Sequence, residues 1–157
     1  MNLQHAPIAK TEMLIRKPVM EVFRAFVDPA ITTKFWFTKS SGHLEEGKKI
    51  RWDWEMYGVS TRVAVQKIEK HKRILIDWDD PPTQVEWLFT PRADGTTFVS
   101  ITNSGFVGDG DAVVSQAIDS MGGFSFVLAG LKAFLEHNVI LNLVADHSPD
   151  AHKQPGA

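Results

Sequence analysis

The stretch Ile50-Arg-Trp-Asp-Trp-Glu-Met56 alternates large apolar and charged side chains, one residue at a time. A period of two belongs to a strand with one buried face; a helix would scatter the same residues around its axis. The pattern returns in Val59 to Val65, where Thr61 and Val63 share the apolar phase, and again in Ile74-Ile76-Trp78, Val85-Trp87-Phe89 and Val99-Ile101. Turn signals separate these runs at Tyr57-Gly58, Asp79-Asp80-Pro81-Pro82 and Ala93-Asp94-Gly95. With a leading strand over Thr11 to Arg16 and a short piece near Gly42 to Glu45, the reading is an antiparallel meander of six to seven strands. One face is apolar and the other polar, so the second meets water.

Helical spacing flanks the meander. Pro18 suits a helix start, because its missing N–H costs nothing there. Val19, Val22, Phe23 and Phe26 then recur on one side. Asp28-Pro29 opens a second short helix, with Asp28 as its N-cap, Ile31 and Phe35 on its buried side, and Trp36-Phe37 at its exit. Downstream, Asp111 to about Val144 is the only segment long enough to cover the apolar face. Phe124, Leu128, Leu131, Leu135 and Val139 form its stripe, and Asp109 or Asp111 caps its start. Gly122-Gly123 interrupts it; two glycines disfavour a helix by about 2 kcal/mol against alanine, so a kink or break is expected there. The fold class is α+β: a curved antiparallel sheet wrapped around a long C-terminal helix, with two short helices between strands 1 and 2. Residues 1–146 are expected to form one domain. Residues 147–157, with two prolines and no apolar period, read as a disordered tail.

A chain of 157 residues, 43% apolar and 23% charged, is of globular composition and long enough for one sizeable core. A net charge of −2 argues against nucleic acid, whose phosphates demand a basic excess. The charge is uneven: residues 1–92 carry 15 basic and 12 acidic side chains, whereas Lys132 and Lys153 face seven acids over residues 93–157. With no cysteine there is no disulfide, thiolate zinc site or thiol nucleophile. The six histidines, His5, His43, His71, His137, His147 and His152, lack metal-ligand spacing, so no metal is expected. No cofactor motif appears either: Gly105, Gly108 and Gly110 lack the Gly-Lys-Ser/Thr ending of a phosphate loop. No signal peptide and no membrane span are read, and the residence expected by default is cytoplasmic. Lys67 to Arg73 is basic but has no interleaved aromatic ring, as a solvated hairpin tip would be. Asp77 is out of phase with Trp78, and no nucleophile–base–acid set can be assembled on one face, so no catalytic residue is assigned.

The order of these pieces resembles the helix-grip (START-like, SRPBCC) superfamily of lipid-transfer START domains and the birch-pollen allergen. The nearest branch is the one named after homologues of the activator of the heat-shock-protein-90 ATPase. The resemblance rests on Ile15-Arg-Lys-Pro-Val-Met-Glu-Val-Phe-Arg-Ala-Phe26, Asp28-Pro29 with Phe35-Trp36, Gly47 to Trp54, Val99-Ser-Ile-Thr-Asn-Ser-Gly-Phe106, and Gly123-Phe124 opening Leu128 to Glu136. Two positions depart from the family: Phe124 stands where a Trp is common, and Asn103 where a His is often found. The resemblance implies a cavity between sheet and long helix for an apolar or amphipathic small molecule, with no shared catalytic machinery.

Trp52, Trp54, Trp78 and Trp87 fall on the apolar face of their strands, and four indoles on one concave face are hard to pack without a void. The ligand is expected to meet Trp52, Trp54, Val63, Trp78, Trp87, Phe89 and Ile101 from the sheet side, with Trp36 and Phe37 at the cavity mouth where the second helix ends. Phe124, Leu128 and Leu131 would close the other wall. Thr61, Thr83 and Asn103, the few polar residues in phase, would orient it. The function expected is binding of an apolar small molecule. The alternatives are an enzyme of the polyketide-cyclase or dehydratase type, which needs an acid–base pair inside the cavity, and a chaperone-regulating interaction module. A homodimer is compatible with either, and a chaperone partner ranks below the ligand.

Overall fold

The computed structural model describes residues 3–79 and 82–150. Seven strands form one antiparallel sheet: β1 (Ala9–Ile15), β2 (Lys39–Ser40), β3 (Lys49–Trp54), β4 (Val59–Glu69), β5 (Arg73–Trp78), β6 (Thr83–Pro91) and β7 (Thr97–Ser104). Their order across the sheet is β1-β7-β6-β5-β4-β3-β2. Helices α1 (Val19–Val27) and α2 (Pro29–Thr32) lie between β1 and β2. The long helix α3 (Gly110–His137) follows β7, and a short α4 (Leu143–His147) comes last. This is the helix-grip architecture.

Local chemistry sets most boundaries. The Asp28 carboxylate accepts from the Ala30 N–H and caps α2, and the Asp109 carboxylate does the same for α3 through Ala112. In β3 the alternation holds as far as Trp54: Ile50, Trp52 and Trp54 are buried while Lys49 and Arg51 are exposed, but Met56, expected in the same strand, lies in a single 3-10 turn over Glu55–Tyr57. The basic run 67–73 sits where β4 turns into β5. Of the Asp79-to-Pro82 turn, Asp80 and Pro81 lie outside the described residues, as do residues 151–157 of the expected tail.

The structure corrects four further expectations. The edge strand is Lys39–Ser40 and not 42–45, because the Ser40 hydroxyl bonds Gly42 on both its N–H and its carbonyl and turns the chain there. Leu44 is instead buried and tied to the end of α1, its N–H donating to the Val27 carbonyl. The long helix stops at His137, seven residues early. Asn138 adopts a left-handed conformation (φ 54°), and the Asn138 and Val139 N–H groups bond back to Phe134 and Ala133, the six-to-one closure that ends a helix. Val139 therefore leaves the stripe and is 44% exposed. Finally, α3 is not broken at Gly122-Gly123 but runs through both as one helix. Neither glycine has a positive φ, and a Cβ at either would meet nothing within 4 Å. Gly122→Ala should therefore raise the urea-unfolding free energy by about 1 kcal/mol, the helix-propensity difference; an unchanged midpoint would show that the glycine is not a weak point.

The core is continuous from α1 through the sheet to α3. Ile15, Val22, Ile74, Ile76, Val85, Val99, Leu128 and Leu131 are fully enclosed. At Gly130 the helix comes so close to the exit of α2 that a Cβ would lie 3.2 Å from the Phe35 Cβ and 3.3 Å from its carbonyl. By length and composition alone α3 matches a membrane span. Here it is the core helix, packed on β1 and β7.

Its C-terminal half is pinned by charge. The Glu136 carboxylate accepts from the Arg16 N–H at 3.0 Å and from the Lys132 ammonium at 2.7 Å, while Lys132 also reaches the Leu14 carbonyl. Burial alone would raise the pKa of Glu136, but the Arg16 N–H and the Lys132 hydrogen bond and charge outweigh it and hold the carboxyl below its ordinary value. A carboxyl depressed in the folded state contributes stability above its unfolded pKa and loses it as pH falls through the folded one. Glu136→Gln should thus destabilise at pH 7 by about 1–2 kcal/mol, with a gap to wild type that closes as pH drops below the ordinary glutamate range. Parallel urea curves at pH 7 and pH 3 test this.

Candidate functional site

Between the concave face of the sheet, the N-terminal half of α3 and α4 lies a cavity of about 510 Å³. Trp54 ends β3, Trp78 ends β5, Thr83 begins β6 and Asn103 lies near the end of β7, so the cavity occupies one end of the sheet rather than its middle. Trp36, from the exit of α2, stands between sheet and helix: its ring centroid is 4.9 Å from Trp52, 5.7 Å from Phe124 and 6.2 Å from Trp78. Trp54 and Trp78 stack at 6.1 Å. Phe124, Phe126 and Val127 form the helical wall.

The strand phases match the burial of Trp52, Trp54, Val63, Trp87, Phe89 and Ile101, but carried nothing on how far along the sheet the hollow reaches. Of the residues expected at a ligand, Trp36, Trp54, Trp78, Asn103 and Phe124 line the cavity, as does Thr83. Phe37, Trp52, Val63, Trp87, Phe89, Ile101, Leu128 and Leu131 are buried in the packed core and do not line it. The reason is α1. Phe23 meets Phe89 at 5.3 Å, and Phe26 meets Trp87 at 5.9 Å and Phe35 at 5.6 Å, so aromatic edges fill that end of the face. Phe37 stacks on Trp52 at 4.7 Å and seals the interior behind Trp54. Thr61 stands in a separate polar recess with Arg51, Ser60, Arg62 and Asp79. The Thr61 hydroxyl and the Trp87 indole N–H are buried without a protein partner among the described residues.

Asn103 carries structure as well as lining. Its amide nitrogen donates to the Gln84 carbonyl at 2.9 Å, and its oxygen accepts from the Ser120 hydroxyl at 2.8 Å, joining β6, β7 and α3 across the cavity wall. A polar strip on α3, Gln116, Asp119, Ser120 and Gly123, completes that wall. Its spacing of three and four residues was readable as one helix face, beside Phe124 and Val127. Asp119 and His147 are thus ionisable groups at the cavity, where the strand phases alone offered none.

The far rim is α4, which lay at or beyond the end of the expected long helix. The Tyr57 hydroxyl donates to the Val144 carbonyl, and the His147 ring packs on Phe126 at 4.7 Å. Tyr57, Val144, His147 and Ser148 therefore belong to the wall. His147, the first residue of the expected tail, ends α4. A second depression of about 610 Å³ is lined by Lys49, Arg62, Asp77 and Gln84, among others, and lacks the aromatic enclosure.

The sequence profile of the activator of Hsp90 ATPase homolog 1-like protein family matches residues 16–136. A comparison with curated protein sequences gives no match. Among solved structures, protein SSP2350 from Staphylococcus saprophyticus is 30% identical, with 86% of this chain and 96% of that one covered and a TM-score of 0.75. DynU16, from the dynemicin biosynthetic locus, is 23% identical over 85% of this chain and 48% of its own, TM-score 0.75. The Aha1 dimer from Colwellia psychrerythraea is 18% identical over 83% and 97%, TM-score 0.72; these last two share the fold. With its profile match across most of the chain and a 30% identical relative of nearly full length, the chain belongs to the activator of Hsp90 ATPase homolog 1-like family.

Proposed function

We propose that the protein binds an apolar or amphipathic small molecule in the cavity between the sheet and α3. The observation that carries this is the cavity itself: about 510 Å³, walled by three tryptophans and several phenylalanines, with scattered polar groups. Ligand sites combine this size with this kind of lining. Trp36, Trp54, Trp78 and Phe124 would enclose the ligand, and Asn103 with Thr83 would orient it. Native mass spectrometry of freshly purified protein, beside titration with the neutral dye Nile red, tests the reading. A co-purifying mass or saturable dye fluorescence supports it; a bare protein that leaves the dye dark overturns it.

One observation favours a second reading. Asp119 and His147 face the same cavity and supply two ionisable groups for acid–base chemistry on a bound ligand. Turnover of aromatic polyketides or bicyclic ketones, abolished in both Asp119→Asn and His147→Ala, would promote it. Partner readings rank lower. Self-association, as in the Aha1 dimer, is tested by light scattering, and chaperone docking by stoichiometric capture of a purified Hsp90.

A further inference from the structure

The cavity is uneven in charge as well as in polarity. No lysine or arginine lines it, and Asp119 is its one carboxylate. Among the described residues Asp119 makes no ion pair, whereas the cation of α3, Lys132, is committed at the other end of the helix to Glu136 and Leu14. His147 is engaged with the protein, its Nδ1 3.0 Å from the Ser148 hydroxyl and its ring against Phe126. The Tyr57 hydroxyl is likewise used on Val144.

The rings supply the other half of the argument. Trp36 meets Trp54 at 65° and Phe124 at 65°, while Trp54 and Trp78 lie 29° apart, so the rings that border the cavity do not share one plane. The faces of aromatic rings carry negative potential, tryptophan most of all, and attract a cation held within about 6 Å. A lysine-like ammonium would give up much hydration to enter. A tertiary or quaternary ammonium, already clothed in alkyl groups, gives up little and brings apolar surface with it. An anion would meet aromatic rings and Asp119, with no lysine or arginine to answer its charge.

We infer that the ligand of this cavity is an organic cation, with its apolar body among Trp36, Trp54, Trp78 and Phe124 and its alkylammonium head between the indole faces and Asp119. This rests on the reading of the cavity as a small-molecule site, and the test separates the two. Three probes share one apolar body: 4-phenylbutyl-trimethylammonium, 4-phenylbutanol and 4-phenylbutyl sulfonate. Each is titrated into the full-length protein by tryptophan fluorescence and calorimetry at low salt. The cation should bind about tenfold tighter than the alcohol, and the sulfonate weakest, as expected for desolvated ring–cation contacts beside a carboxylate. Asp119→Asn should weaken cation binding about three- to tenfold and leave the alcohol unchanged. Equal affinity for cation and alcohol, or an unaltered cation preference in Asp119→Asn, would overturn the inference while the cavity reading stands. If none of the probes nor Nile red binds, both fall.

Discussion

Trp52→Ala is expected to lower the unfolding free energy by about 3–5 kcal/mol, while Trp54→Ala, two residues along the same strand, should cost less than about half as much. The two indoles share a strand and a phase but not an environment. Trp52 is 1% exposed, stacked on Phe37 and enclosed by Trp36 and Trp78, so its removal leaves a void among well-packed neighbours. Trp54 borders the cavity and already lacks partner atoms on that side. Its deletion enlarges an existing space rather than creating one. Affinity should move the other way, with Trp54→Ala losing Nile red binding about tenfold or more. Urea unfolding with equal m-values and dye titration on the same samples measure both. Equal stability losses, with dye uptake retained in Trp54→Ala, would mean that the hollow plays no part in binding.

Asn103→Leu should be the next most damaging change. Asn103 is 6% exposed, and its amide is used at both ends. Leucine keeps the branched shape but takes the donor from the part-buried Gln84 carbonyl and frees Ser120, a loss of about 1–3 kcal/mol. Because the Ser120 contact ties α3 to β7, the first half of the helix should also exchange its amide hydrogens faster than the half held by Glu136. In Ser120→Ala the same region should loosen with a smaller stability loss, and the double mutant should lose less than the sum. Strict additivity would show that the Asn103–Ser120 bond does not couple sheet and helix.

How much of this was legible depended on the range of the interaction involved. The strands were readable because each carries its own alternation, and the helix starts because Asp28 and Asp109 sit beside the N–H groups they satisfy. The stop at Asn138 was missed although it has a local signal, His137 in the last turn and Asn138 at the left-handed cap; the apolar Val139 to Leu141 beyond it was read as more of the stripe. The glycine pair misled for the opposite reason. A local propensity of about 2 kcal/mol was read as a kink or a break, and the helix continues unbroken because the packing of Phe124, Leu128 and Leu131 outweighs it. For the site, phase separated inside from outside but carried no information on height along the sheet. That height is decided by where Phe23 and Phe26 of α1 end, a contact between segments more than sixty residues apart in the case of Trp87 and Phe89. The polar strip of α3 needed only the helical period, applied to Gln116, Asp119 and Ser120 rather than to leucines alone.

The pairing of β1 with β7 joins the first strand made to the last. Ala9 lies opposite Asn103 and Ile15 opposite Thr97. On a ribosome, therefore, β1 leaves the exit tunnel with no partner strand and must wait until some eighty to ninety further residues have been synthesised, on the order of several seconds or more at ordinary elongation rates. The meander β3 to β6 can zip hairpin by hairpin in that interval, since each of its strands pairs with the next one made. Closure of β1 on β7 is then the slow, entropically expensive step, and α3 emerges only after it becomes available. Until that point the part of the aromatic face that α3 covers is open, so the nascent chain is at its most aggregation-prone just before α3 arrives.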